Sequence, residues 1–141
     1  MSNITIRHYI DSDQEKVIQL WKLCNLTRSW NDPIKDIQRK LTVQNDLFLV
    51  LEVDGEILGS IMGGFDGHRG SVNYLGIHPD HKNKGLGKLL MNRIEEELIQ
   101  MGCPKINLMV RNSNLDVQEF YKDIGYEEQD VVVFGKRLIP D

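Results

Sequence analysis

Ile77-His78-Pro79-Asp80-His81-Lys82-Asn83-Lys84-Gly85-Leu86-Gly87-Lys88-Leu89-Leu90 joins an apolar β-type segment to an amphipathic helix through a short loop with two glycines. The residues before it, Ser71 to Ile77, read as a strand. Those after it, Gly85 to Met101, place Leu86, Leu90, Ile94 and Leu98 on one helical face, and Gly102 and Pro104 end the run. A strand feeding a glycine-rich helix start is the layout of an anion site. About four amide N–H groups lack partners at a helix N-terminus, glycines let a phosphate approach that backbone, and the macrodipole favours negative charge. His78, His81, Lys82, Lys84 and Lys88 crowd this loop in a chain whose net charge is −4, a concentration that points to a polyanionic ligand. The plainer alternative is that the glycines serve backbone geometry and the lysines solvate the surface. Spacing excludes two nucleotide motifs: Leu90 stands where the dinucleotide fingerprint needs its third Gly, and Leu89 stands where the P-loop needs Ser or Thr.

Upstream, Ile4, Ile6 and His8 alternate with Thr5, Arg7 and Tyr9 as a first strand. Asp11 or Ser12 then caps a helix carrying Val17, Ile18, Leu20, Trp21 and Leu23. Asp32-Pro33 is an N-cap followed by proline at the first helical position, opening a helix through Ile34, Ile37 and Leu41. Asp54-Gly55 between Leu47–Val53 and Glu56–Phe65 signals a two-residue β-hairpin, and the Gly63-Gly64 pair suggests a bulge or a close backbone approach. Downstream, Ile106 to Val110 reads as a strand. Ser113 with Asp116 opens a helix through Ile124, and β-type residues surround Val131 to Phe134. The predicted order is β-α-α-β-β-β-α-β-α-β, one α/β domain over residues 1–141.

Composition narrows the function. With 27% charged and 40% hydrophobic residues over 141 positions the chain can bury a core without staples. Cys24 and Cys103 fall in no zinc or disulfide spacing, so no metal is expected and a reducing cytoplasmic setting is the default. No apolar run approaches the ~18 residues of a membrane span, and the acidic balance is a poor footprint for a nucleic-acid binder.

Lys82-Asn83-Lys84-Gly85-Leu86-Gly87 resembles the acetyl-CoA signature of GNAT acetyltransferases, [Q/R]-x-x-G-x-[G/A], with Lys82 in place of Gln or Arg. Val110, Asn114, Val117, Tyr121, Gly125 and Tyr126 resemble the family's V-x3-N-x2-A-x3-Y-x3-G-[FY] pattern, with Val117 for Ala. Within the family, Ser29–Pro33 and Gly63–Gly70 resemble the small bacterial YpeA subfamily. The resemblance implies a mixed, mostly antiparallel sheet of six to seven strands flanked by about four helices and splayed between strands 4 and 5.

It also implies an activity. An acetyl group would pass from acetyl-CoA to a primary amine, on a protein, a peptide or a small molecule, by direct attack on the thioester. Leu75, Gly76 and Ile77 would bind the pantetheine arm, Lys82, Asn83, Lys84, Gly85, Leu86, Gly87 and Lys88 the pyrophosphate, and Asn114 the cofactor. Tyr121, one i, i+4, i+7 face with Val117 and Ile124, would be the general acid as well as a cofactor contact. No carboxylate lies in Ser71–Ile77, which leaves Asp66, His68 or water as the base. Arg28 and Trp30 would border the acceptor pocket, unless Trp30 packs over the core. The late strands offer an edge for dimerisation, so the expected state is monomer or homodimer. A second reading of the same residues is a non-catalytic CoA-binding or protein-interaction module on this fold.

Overall fold

The computed structural model describes residues 2–141. The elements follow as β1 (Ile4–His8), α1 (Gln14–Leu23), α2 (Pro33–Lys40), β2 (Phe48–Val53), β3 (Glu56–Phe65), β4 (Gly70–Ile77), α3 (Leu86–Gln100) and α4 (Leu115–Asp123). The strands form an antiparallel sheet in the order β1-β2-β3-β4. Its two faces are dictated by the period-2 alternation of β2. Phe48 and Val50 pack with Val17 and Trp21 of α1 and Ile37 of α2, while Leu49 and Leu51 pack with Leu90, Met91, Ile94 and Leu98 of α3. Both layers are fully buried. The predicted hairpin forms, with Asp54 and Gly55 both at positive φ as a two-residue turn needs. Asp32 caps α2, its Oδ1 accepting from the amides of Ile34 and Lys35 at 3.0 and 3.3 Å.

Helix starts shift elsewhere. A single 3-10 turn over Asp11–Asp13 precedes α1, because the Asp13 carboxylate is committed to the Ile10 amide and to Arg7. The N-cap of α4 is Asn114 and not Ser113.

At Gly63 there is a close approach and not a bulge. A side chain on that residue would meet Ile94 Cδ1 at 2.9 Å, so glycine lets α3 lie against β3. The bulge that matters for the site falls on β4. Ser60 pairs with Gly76 and Met62 with Asn73, so Tyr74 and Leu75 together oppose the single residue Ile61. Tyr74 takes φ +52°, and its ring lies on the α1 side of the sheet, stacked on Trp21 at 3.9 Å, while Val72 and Leu75 pack on the α3 side. A buried relay fixes this kink: Trp21 Nε1 donates to Ser60 Oγ at 2.8 Å, and Ser60 Oγ donates to the Tyr74 carbonyl at 2.9 Å.

The expected sheet of six to seven strands is corrected to four among the described residues. Ile106–Val110 keeps a strand-like alternation, with Ile106, Leu108 and Val110 half-buried, but meets β4 only at Gly70. There Gly70 N–H donates to Lys105 O at 2.7 Å and Asn107 N–H to Gly70 O at 3.0 Å; no ladder continues toward Ile77. The late β-type stretch forms no strand either: Val131 to Phe134 are 68–92% exposed. Their β propensity goes unused because no neighbouring backbone edge is offered to them.

Candidate active site

The loop between β4 and α3 brings most of the predicted positions to one end of the sheet. Leu75 and Ile77 pack into the α3-side core, and Gly76 faces α1, where a side chain would meet Leu26 Cδ1 at 2.9 Å and Cys24 Sγ at 3.2 Å. The Ile77 carbonyl accepts from the Cys24 thiol at 3.2 Å. After a 3-10 turn over Pro79–His81 the chain reaches Lys82, Asn83, Lys84 and Gly85, all exposed, with Asn83 and Gly85 at φ +63° and +79°. These two left-handed residues turn the chain sharply into α3.

The start of α3 is open. Asp32 and Asn114 cap α2 and α4 with their side chains, but none caps α3. Its first backbone bond runs from Leu89 N–H to Gly85 O at 3.1 Å, which leaves the amides of Leu86, Gly87 and Lys88 directed along the axis toward the loop. Leu86 anchors the turn in the core, whereas Lys88 is exposed. The residues can therefore hold an anion by backbone N–H groups and the helix dipole, with Lys82, Lys84 and Lys88 around it.

Tyr121 lies beside this turn. A side chain at Gly87 would touch the neighbouring Phe120 ring at 3.1 Å, so glycine allows α4 to approach α3, and Tyr121 packs in the same core as Leu86 and Leu90. The ring is 8% exposed, and its hydroxyl has no hydrogen-bond partner among the described residues. Burial pushes the phenol up to about 12, so it remains a protonated donor through the physiological range. Asn114, predicted on the cofactor, caps α4, its Oδ1 accepting from the Val117 amide at 3.3 Å.

Of the candidate bases, Asp66 and His68 lie in the β3–β4 turn, at the opposite end of β4 from the loop, separated by roughly 20 Å of strand. The Asp66 carboxylate accepts from the amides of Arg69 and His68 at 2.8 and 2.7 Å, bonds that hold it below the usual carboxylate range. Arg28 bonds back to the carbonyls of Asn25 and Thr27. Trp30 does not pack into the core: it is 52% exposed, with the Arg111 guanidinium 5.6 Å from its ring centre.

One polar group escaped the sequence reading. Tyr74 OH donates to Asp36 Oδ2 on α2 at 2.5 Å. Burial, reinforced by Asp36, drives that phenol far above its ordinary value. Asp36 was legible only as a polar residue of α2, and no residue type announced the bulge, since tyrosine is an ordinary strand residue.

The shifted tyrosines make a testable statement about stability. Tyr74, Tyr121 and Tyr126 all hold their protons above the value of about 10 that governs the unfolded chain. Above pH 10 the native state binds more protons than the unfolded state, so stability falls as pH rises, and the contribution of Tyr121 levels off once it ionises near 12. Tyr121 alone contributes a loss of about 1 kcal/mol by pH 11. Urea midpoints at pH 8 and pH 11 check this, and equal midpoints would contradict the buried placement of these rings.

Comparison with known proteins agrees with this geometry. The pattern of the acetyltransferase (GNAT) family matches residues 14–126. An acetyltransferase of Sodalis glossinidius is 56% identical over 137 residues, covering 96% of both chains, and one of Yersinia enterocolitica is 54% identical over 136 residues with the same coverage. The PaiA N-acetyltransferase of Thermoplasma acidophilum, solved in complex with coenzyme A, superposes with a TM-score of 0.79 at 19% identity, over 92% of this chain and 93% of its own. Among the described residues no helix is long and apolar enough to cross a membrane, and no group of His, Cys, Asp and Glu is arranged to hold a metal ion. From the open helix start after β4, the tyrosine beside it and kinship along nearly the whole length, it follows that this chain belongs to the acetyltransferase (GNAT) family.

Proposed function

We propose that this protein moves the acetyl group of acetyl-CoA to a primary amine by direct attack on the thioester, within a single domain. The observation that carries the reading is the uncapped N-terminus of α3 beside Tyr121, a buried residue whose hydroxyl is left without a partner among the described residues. In this reading the amides of Leu86, Gly87 and Lys88 hold the pyrophosphate, with Lys82, Asn83, Lys84 and Gly85 closing around it. A few charge-assisted bonds of about 1.5–3 kcal/mol each suffice for micromolar affinity. Beyond Gly70 the outer edge of β4 has no strand beside it among the described residues, so Leu75, Gly76 and Ile77 border the channel for the pantetheine arm. Asn114 acts there only through the start of α4 that it caps.

As the amine nitrogen bonds to the acyl carbon, the C–S bond breaks. Tyr121 meets the charge developing on sulfur with its O–H, and the proton lost by nitrogen goes to water, because Asp66 and His68 sit at the other end of β4. The test is free-thiol release from acetyl-CoA across n-butylamine, 1,4-diaminobutane, lysine and peptides with free N-termini. Amine-dependent thiol release is the expected result. Thermal protection by acetyl-CoA with no thiol release from any amine would favour a binding module instead.

A further inference from the structure

Gly64, inside β3, is not a glycine that its backbone conformation requires, and what its missing side chain leaves is space. A Cβ there would stand 3.2 Å from Ser71 Oγ and 3.5 Å from Gln44 Oε1. That space is the floor of a cavity of about 250 Å³ between the C-terminal end of α2 and the β3–β4 pair. Gly64 pairs with Ser71 and Met62 with Asn73, so these four residues share the sheet face turned away from α3, while Val72 packs toward it. Gln44 forms a fixed wall. It holds a left-handed φ of +51°, and its side-chain amide donates to Phe65 O at 2.9 Å and accepts from Phe65 N–H at 2.8 Å. Two bonds thus lock a residue in a conformation that side chains disfavour.

Lys40, the last residue of α2, brings an ammonium to this cavity. It is half-buried, it donates to the Gly63 carbonyl at 2.5 Å, and it meets no carboxylate at ion-pair distance among the described residues. Two of its three N–H bonds are left over. Burial holds the amine below the usual lysine range, although the exposed Asp46 acts in the other direction. A charge drawn this far out of water gains from a counter-charge, and an anion in the cavity would supply one. Ser71 and Asn73 stand across from it with a hydroxyl and an amide to complete the anion's hydrogen bonds.

Size and charge define the ligand. Pockets for drug-sized molecules begin at roughly 300 Å³, so this one takes something smaller. Lys40 is the one cation among the lining residues, and Asp66 on the rim is itself a carboxylate, already bonded to the amides of His68 and Arg69. A second negative charge on the ligand would face Asp66 with no partner. Met62 and Phe65 offer apolar surface to the rest of the molecule.

We propose that this cavity binds a small monocarboxylate with an apolar body, its charged end held by Lys40 and its body seated over Gly64. The cavity lies toward the β3–β4 turn, away from the loop into α3, and is independent of the acetyl-transfer reading.

NMR titration of the ¹⁵N-labelled full chain with benzoate at constant ionic strength tests this. Benzoate is expected to shift the amides of Gly63, Gly64, Phe65 and Ser71 saturably, with a Kd of about 1 mM or below. Benzamide, of the same shape without the charge, is expected to bind at least tenfold more weakly. Lys40→Gln removes the cation, and Gly64→Ala fills the floor while keeping every charge; each is expected to weaken benzoate at least tenfold. Lys35→Gln, an exposed lysine on the same helix, should leave the affinity unchanged. No saturable shift with either benzoate or hexanoate overturns the proposal, as does equal affinity for benzamide or an affinity unchanged in Lys40→Gln or in Gly64→Ala. Should Lys40→Gln fail to fold, Gly64→Ala decides by the same titration.

Discussion

Tyr121→Phe is expected to slow amine acetylation about 100-fold, with the loss in kcat, in protein matched to wild type for melting temperature. The ring stays in its core beside Leu86 and Leu90, and only the hydroxyl goes. The size of the effect depends on how the hydroxyl works. With the phenol at about 12 and a thiol near 8.5, full proton transfer to the leaving thiolate is uphill by about 5 kcal/mol. The O–H therefore acts mainly by hydrogen bonding to sulfur as charge builds there, and water completes the transfer. The raised value also predicts that kcat shows no loss from Tyr121 ionisation below about pH 11, since the donor is still protonated there. A Phe variant as fast as wild type would reduce Tyr121 to packing and move the proton source to solvent.

A charge placed at the mouth of α3 should be comparably damaging, in affinity and not in kcat. Gly85 is surrounded by open space, so a side chain there meets no atom within 4 Å, and Asn and Asp tolerate its left-handed φ of +79° better than other residues. Gly85→Asn tests bulk and backbone strain alone. Gly85→Asp adds a carboxylate next to the amides of Leu86, Gly87 and Lys88, where the proposed pyrophosphate lies. Like charges at ~4 Å repel by about 4 kcal/mol at an effective dielectric of 20, and screening leaves a loss of about 100-fold in acetyl-CoA affinity beyond that of the Asn variant. Calorimetry with acetyl-CoA reads this difference directly. Equal affinities of the two variants would mean that no phosphate sits at this helix start.

Much of this architecture was legible because the local signals are chemically unambiguous. Asp32-Pro33 could hardly be anything but a helix start, and Asp54-Gly55 a tight hairpin. The spacing of Gly85 and Gly87 after a strand marked the turn into α3, and that of Val117, Tyr121 and Ile124 put the phenol on the inner face of α4. What failed was everything that depends on a partner distant in sequence. Ile106–Val110 has the right alternation, yet a strand exists only where a second backbone completes the ladder, and β4 supplies that at Gly70 alone. The Asp36–Tyr74 bond was hidden for a related reason. A bulge turns Tyr74 toward α2, and a one-residue slip of register leaves no trace in residue type. Ser113 lost the cap to its neighbour Asn114, a shift of one residue that pattern reading does not resolve.

The anchoring of α4 sets how the chain breathes. Helix α3 commits five fully buried side chains to the sheet, whereas α4 commits one, and that one is Tyr121, supported by half-buried Val117, Phe120 and Ile124. Local opening of α4 therefore costs less than opening of α3, and its amides exchange with solvent sooner. The group that would donate the proton is also the peg that docks its helix. Truncating it to alanine would release the segment as well as remove the hydroxyl, so the two losses would be inseparable in any rate measured on that variant.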